Sequence, residues 1–117
     1  MPSESLPDVT VAYGPPSVVG PYSRADVQRI ALRSRARLRR CYAEAVAAEP
    51  TLAGEVVIAF RIGTDGRTQS VTRDDSTLGR PALEHCFVRA VRSWRFGERA
   101  DATTHTSVRL RLHLSPR

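Results

Sequence analysis

The sequence predicts an α+β domain with the element order α-β-β-α-β, in which two helices pack on one face of a three-stranded antiparallel sheet. Apolar residues recur every three or four positions in two segments, which indicates two amphipathic helices. Between these segments, and again near the C-terminus, apolar and polar residues alternate, which is typical of half-buried strands. A chain of 117 residues is long enough for one hydrophobic core and leaves little room for a second.

Residues 1–22 are predicted to be the end of a linker, because five prolines and two glycines interrupt any regular element there. Val9, Val11 and Tyr13 alternate with Thr10 and Ala12, and this pattern is compatible with a short edge strand before the prolines. The folded domain is predicted to span residues 23–115.

The first helix is predicted to begin after Ser23, whose hydroxyl can cap the free amides of the first turn while Asp26 lies three residues further on. It is predicted to end before Pro50, which cannot continue a helix. Its apolar stripe consists of Val27, Ile30, Ala31, Leu38, Cys41, Tyr42 and Ala45.

A β-hairpin is predicted between Gly54 and Asp75. Asp65 and Gly66 can supply the positive φ angles of a tight turn, and the chain then returns as a more polar strand over residues 67–73. The side chains of the first strand that face the core are Val56, Ile58, Phe60 and Ile62.

The second helix is predicted to begin near Pro81, because proline is tolerated in the first turn. Its apolar stripe consists of Leu83, Cys86, Phe87, Ala90, Val91 and Trp94. A final half-buried strand is predicted to follow, with Val108, Leu110, Leu112 and Leu114 facing the core and Ser107, Arg109, Arg111 and His113 facing outward.

The formal net charge is +6, and every basic residue is arginine. A basic surface is predicted on one side of the first helix, formed by Arg29, Arg33, Arg37 and Arg40. Such a stripe can follow the phosphates of a nucleic acid, but that polar face lacks aromatic side chains for base stacking. The pattern therefore favours a solvated basic face, or contact with an anionic surface of the cell envelope, over nucleic-acid binding.

No motif for catalysis, metal binding or cofactor binding is evident. The three histidines, His85, His105 and His113, are dispersed and do not have the spacing of a zinc site. Asp74 and Asp75 precede Ser76 at the end of a predicted strand, where they are expected to cap a turn. We therefore expect no metal, no cofactor, no small-molecule substrate and no enzymatic activity.

The two cysteines, Cys41 and Cys86, each lie in the apolar stripe of a predicted helix. A disulfide between the helices and two buried free thiols are both compatible with the residues, whereas a redox pair is not expected without a CxxC motif. No apolar run approaches the roughly 20 residues that span a bilayer, and the N-terminus lacks the pattern of a signal peptide. Export would therefore require a signal or anchor upstream of residue 1.

The following stretches and positions, taken in order, carry a resemblance to a known family: Ser23 to Tyr42, Pro50, Leu52, Gly54, Phe60, Ile62, Asp65, Gly66, Ser76, Thr77, Leu78, Cys86, Trp94, Arg95 and Phe96. In this order they resemble the C-terminal domain of TonB-like proteins, in particular the AgmX/PglI-type domain of gliding-motility and envelope proteins in predatory gliding bacteria. The similarity extends from residue 20 to residue 114. Gly97 and Glu98 depart from it, since proline-rich residues are common there, and so does Ala43, where an acidic residue is usual.

The resemblance implies a periplasmic adaptor that is part of a membrane-anchored chain and binds an outer-membrane partner. It favours a Cys41–Cys86 disulfide, and it implies that an extended segment of the partner adds beside the last strand, whose edge is expected to be exposed. The outward Arg109 and Arg111 equally suit protection of that edge against aggregation. The candidate partner-binding residues are Ser107, Val108, Arg109, Leu110, Arg111, Leu112 and His113.

Two functions from different classes are therefore predicted. The first is a non-enzymatic periplasmic interaction module of an envelope motility or transport complex. The second is a cytosolic, arginine-rich nucleic-acid-binding domain, which free cysteines would favour. A monomer or a weak dimer is expected, because a short sheet with an exposed strand can pair with a second copy.

Overall fold

The computed structural model describes residues 6–99 and 102–117. These residues form three helices and five strands. In chain order the elements are β1 (Thr10–Tyr13), β2 (Ser17–Val19), α1 (Arg24–Arg33), α2 (Arg35–Ala48), β3 (Gly54–Ile62), β4 (Thr68–Ser76), α3 (Pro81–Arg92) and β5 (Thr106–Ser115).

The five strands form one antiparallel sheet in which β5 is central. The order is β1-β5-β3-β4, and β2 pairs with β5 on the same side as β1. β3 pairs with β5 from Gly54 opposite Leu114 to Ile62 opposite Thr106. The predicted α+β class is therefore confirmed, whereas the predicted three-stranded sheet is wrong.

The additional strands come from the segment that was predicted to be a linker. Val11 in β1 and Tyr22, just after β2, are each only 2% exposed, so this segment contributes to the core. Pro15 and Pro16 lie between the two strands, where a missing amide hydrogen does not interrupt a ladder. β1 coincides with the short edge strand with which the alternation of Val9, Val11 and Tyr13 is compatible. Residues 1–5 of the predicted linker lie outside the described residues.

The predicted first helix is divided in two at Ser34. The Ser34 amide donates to the carbonyl oxygen of Ile30 at 3.0 Å, which ends α1, and α2 begins at the next residue. The start of α1 is as predicted, because Ser23 and Asp26 form a reciprocal capping box with hydrogen bonds of 3.1 and 2.8 Å. The described residues thus contain three helices where two were predicted.

The hydrophobic core lies between the helices and one face of the sheet. Strand side chains that face this layer are fully or almost fully buried, and helix residues such as Val27 and Phe87 cover them. The opposite face of the sheet carries exposed arginines, and we call it the open face. The core residues of β3 and β5 are Val56, Ile58, Phe60, Ile62, Val108, Leu110, Leu112 and Leu114.

Candidate functional site

β5 carries the predicted partner-binding residues, but its edge is not exposed. Ser107–Arg109 pair with β2, and Leu112–Ser115 pair with β1, while β3 occupies the other edge. The expectation of an exposed final strand is therefore wrong. The physical reason is that the N-terminal segment buries Val11 and Tyr22 in the core and thereby lies along β5.

The outward side chains of β5 form ion pairs across the open face. Arg111 Nη1 lies 2.8 Å from Glu55 Oε1, and His113 Nδ1 lies 2.7 Å from Glu55 Oε2. Arg109 pairs with Asp74 of β4. The hydrogen bonds from Arg111 and His113 hold the pKa of Glu55 below its ordinary value. These polar side chains therefore connect β5 with β3 and β4 and do not protect an edge.

β2 is the shorter of the two strands that pair with this edge of β5. It has three residues, and Val19 within it is 75% exposed. The flanking anchors are firmer, since the Tyr13 hydroxyl donates to the Ala31 carbonyl oxygen at 2.8 Å and the Tyr22 amide donates to Thr106 Oγ1 at 3.1 Å. Within the short strand between these anchors, Val18 pairs with Val108 and packs against the core, whereas the side chain of Val19 does not.

The other edge of the sheet, β4, has features that disfavour pairing with a further strand. Its register against β3 shifts twice, and Ser70 adopts a φ of 52°. Arg73, Asp74 and Asp75 lie near its end and are exposed. Bulges and charged side chains are common devices that prevent edge-to-edge association. The β1–β2 side is therefore the better candidate for binding an extended segment.

A disulfide joins the two helices that carry the cysteines. The Cys41 and Cys86 sulfur atoms are bonded, and their Cα atoms are 6.0 Å apart. The bond connects α2 with α3 on the helical side of the sheet, and it leaves neither cysteine of the chain free. Disulfides of this kind are typical of oxidising compartments such as the periplasm.

The four arginines of the predicted basic surface are not equivalent. Arg29 pairs with Asp26 at 2.7 Å, and Arg40 lies 3.6 Å from Glu44. Arg33 and Arg37 instead line a recess together with Arg95, which follows α3. We call the surface formed by Arg33, Arg37 and Arg95 the basic recess. Sequence periodicity within one helix could not identify Arg95, because its proximity depends on how α3 packs against α2.

Glu84 is a buried acidic side chain that the sequence analysis did not single out. It is 7% exposed, accepts a hydrogen bond from the Ser76 hydroxyl, and lies 3.6 Å from Arg73. Ser76 Oγ also accepts a hydrogen bond from the Leu78 amide at 3.0 Å. The contacts of Ser76 with Glu84 and Leu78 therefore order the connection from β4 to α3.

The Asp75 carboxylate accepts a hydrogen bond from the Ser76 amide at 2.9 Å. Asp74 and Asp75 lie within β4, and Asp74 pairs with Arg109, so the predicted turn-capping role is not what these contacts show.

Within the described residues, no group of three or more histidine, cysteine, aspartate or glutamate side chains has the arrangement of a metal site. None of the helices in that part of the chain has the length and apolar character needed to cross a membrane. Comparisons of the chain with protein-family models, curated proteins and solved structures find no match.

Proposed function

We propose that this chain is a non-enzymatic protein-interaction module of the bacterial periplasm. In this proposal it belongs to a membrane-anchored motility or transport complex and couples that complex to an outer-membrane partner. The partner contributes an extended segment that pairs with β5, where it replaces β2 and so contacts Ser107–Arg109. The resemblance to TonB-like domains suggests the mode of binding, and the pairing of β2 with β5 supports the choice of residues 107–109.

One observation carries the proposal. β5 already accepts an extended segment along its second edge, and at residues 107–109 this segment is the three-residue strand β2. Main-chain hydrogen bonds are much the same for any extended peptide, whereas alternate side chains provide the specificity. A partner segment with apolar residues at alternate positions would pair with the same edge and bury more apolar surface than the exposed Val19 does.

The Cys41–Cys86 disulfide supports a location outside the cytoplasm. Reducing systems keep cytosolic thiols free in most bacteria, so a bond between two core-facing helices favours an oxidising compartment. Differential alkylation and mass spectrometry of the protein from its native cells test this location. Protection of both cysteines until reductant is added is expected. Alkylation of both after unfolding without reductant would contradict a periplasmic location.

Strand pairing in trans tests the binding mode. A chain that begins at residue 23 lacks β1 and β2, and a synthetic peptide of residues 6–22 supplies them. We expect the peptide to bind this chain and raise its thermal stability, while the same peptide with Val11→Asp and Val18→Asp does not. If the shortened chain is unfolded alone, folding of this chain upon addition of the peptide would also demonstrate binding. A folded shortened chain that ignores the peptide would contradict strand acceptance by β5.

A further inference from the structure

The basic recess lies where α1, α2 and the end of α3 meet. Arg33 is the last residue of α1, Arg37 is in the first turn of α2, and Arg95 lies three residues after α3. The recess has a volume of about 460 Å³. Apolar or hydroxyl-bearing residues form the rest of its lining, and no acidic residue is among them: Ile30, Ser34, Ala36, Ser93 and Trp94.

The three guanidinium groups of the basic recess have no carboxylate partner among residues 6–99 and 102–117. On the same two helices, by contrast, Arg29 and Arg40 are each paired with a nearby acidic side chain. The positive potential of the recess is therefore not neutralised within the described part of the chain. An unneutralised cluster of this kind attracts anions.

Two of the three arginines are held in position by the end of α3. Arg37 Nη1 donates to Ser93 Oγ at 3.0 Å, and Arg95 Nη1 donates to the carbonyl oxygen of Trp94 at 3.0 Å. Side chains that are already ordered lose less entropy when a ligand binds. The helix dipoles do not favour an anion here, because the C-terminal ends of α1 and α3 lie at the recess and only α2 contributes an N-terminal end. The arginines therefore supply the charge.

The chemistry of the recess and its surroundings suits a lipid phosphate. Three guanidinium groups match several acceptor oxygens, and the phosphodiester groups of adjacent anionic lipids can supply these oxygens together. Leu32 precedes Arg33 on α1 and is 57% exposed, and it lines a separate depression beside Arg35, outside the recess itself. Apolar side chains flanked by cations are typical of surfaces that lie in the interfacial region of a bilayer.

We propose that the basic recess binds the phosphate groups of anionic membrane lipids, with Leu32 inserted among the headgroups. This surface lies on the helical side of the domain, whereas the proposed partner segment pairs with β5 in the sheet. The domain would therefore contact a membrane surface and a protein partner through different elements. Lipid binding goes beyond the proposed function and does not depend on it.

Vesicle binding by the full chain with its disulfide intact tests this proposal. Vesicles of phosphatidylcholine alone are compared with vesicles that also contain phosphatidylglycerol. Trp94 lines the recess and is the only tryptophan, so its fluorescence reports on this site. We expect binding to the anionic vesicles only, and release as the salt concentration rises. Arg33→Gln, Arg37→Gln and Arg95→Gln should each weaken binding roughly fivefold.

Matched variants separate the recess from net charge and general hydrophobicity. Arg61→Gln removes one charge from the open face and should change binding less than about twofold. Leu32→Ala should weaken binding several-fold, whereas Val19→Ala, which truncates another exposed apolar residue, should have no effect. Equal losses in Arg61→Gln and in the recess variants would overturn the proposal.

The remaining outcomes also have defined meanings. Arginine-dependent binding of inorganic phosphate or glycerol 3-phosphate without vesicle binding would overturn the membrane assignment in favour of a soluble phosphate compound. Tighter binding to a short DNA duplex than to anionic vesicles, lost in the same variants, would overturn it in favour of nucleic acid. Circular dichroism of each variant confirms that a loss of binding does not reflect unfolding.

Discussion

The main-chain amide of Phe96 donates a hydrogen bond to the carbonyl oxygen of Gly66 at 2.8 Å, which ties the segment after α3 to the β3–β4 turn. The contact is reinforced by an isolated bridge between Arg67 and Arg95. Phe96 also lies beside Phe60 and Trp94 in an aromatic cluster. The turn and the chain leaving α3 therefore form one packed unit.

Gly66→Ala should destabilise the domain more than Gly79→Ala. Both glycines have positive φ, at 84° and 62°, so both substitutions carry a backbone cost of about 1 kcal/mol. A Cβ at residue 66 would also lie within 2.4 Å of the Gly97 carbonyl oxygen, whereas a Cβ at residue 79 meets nothing within 4 Å. Urea denaturation measures both free energies of unfolding. Equal losses of unfolding free energy in the two variants would show that the turn can move to accommodate the new Cβ without an energetic cost.

Removal of the disulfide should lower the free energy of unfolding by about 4 kcal/mol, because the bond closes a loop with a sequence separation of 45. The double variant Cys41→Ser and Cys86→Ser is compared with the oxidised protein by urea denaturation. Oxidised protein treated with reductant should fall to a similar stability. A loss below about 1 kcal/mol would show that packing of α2 against α3 is sufficient without the bond.

Glu55→Gln should remove part of the dependence of stability on pH. The hydrogen bonds from Arg111 and His113 keep the folded-state pKa of Glu55 below its ordinary 4.5. The ionised carboxylate therefore stabilises the fold above its unfolded pKa, and this contribution is lost as the pH falls through the lower folded pKa. The melting temperature of the unsubstituted protein should be higher than that of Glu55→Gln at neutral pH, and this difference should disappear in acid. A difference that is constant with pH would exclude this linkage.

Tyr42→Phe should cost about 1 to 2 kcal/mol of stability, because it removes the hydroxyl that donates to the buried Leu52 carbonyl oxygen. Tyr13→Phe is the matched control. Tyr13 donates to Ala31 from a partly buried position, so water can replace its hydroxyl more readily. Thermal denaturation of both variants provides the comparison, and a larger loss for Tyr13→Phe would contradict the role assigned to burial.

Local sequence patterns predicted the elements whose periodicity is uninterrupted. The capping residues Ser23 and Asp26, the hairpin with Asp65 and Gly66, and the alternation of β5 all appear in the structure. Only Gly66 of the turn pair has a positive φ, however, so the expectation of a positive φ at Asp65 is wrong. In each case the signal and the structure involve residues close together in the chain. The inward stripes of the helices also placed Cys41 and Cys86 where a bond between them forms.

The elements that depend on distant residues were not predictable in the same way. β1 and β2 are strands because β5, almost the whole chain away, pairs with them, and the intervening prolines obscure their short alternation. The break at Ser34 interrupts a stripe that is compatible with one continuous helix. The grouping of Arg95 with Arg33 and Arg37 follows from helix packing, which periodicity alone does not specify.

The central position of β5 has a consequence for how the domain folds. β5 is synthesised after every other described element, yet three strands pair with it. Until Ser115 has left the ribosome or the export channel, β1 and β2 have no strand to pair with, and the edge of β3 that pairs with β5 is unpaired. The complete five-stranded sheet can therefore form only after the last strand is available. Chains truncated before β5 would expose aggregation-prone strand edges and would need chaperones to protect them.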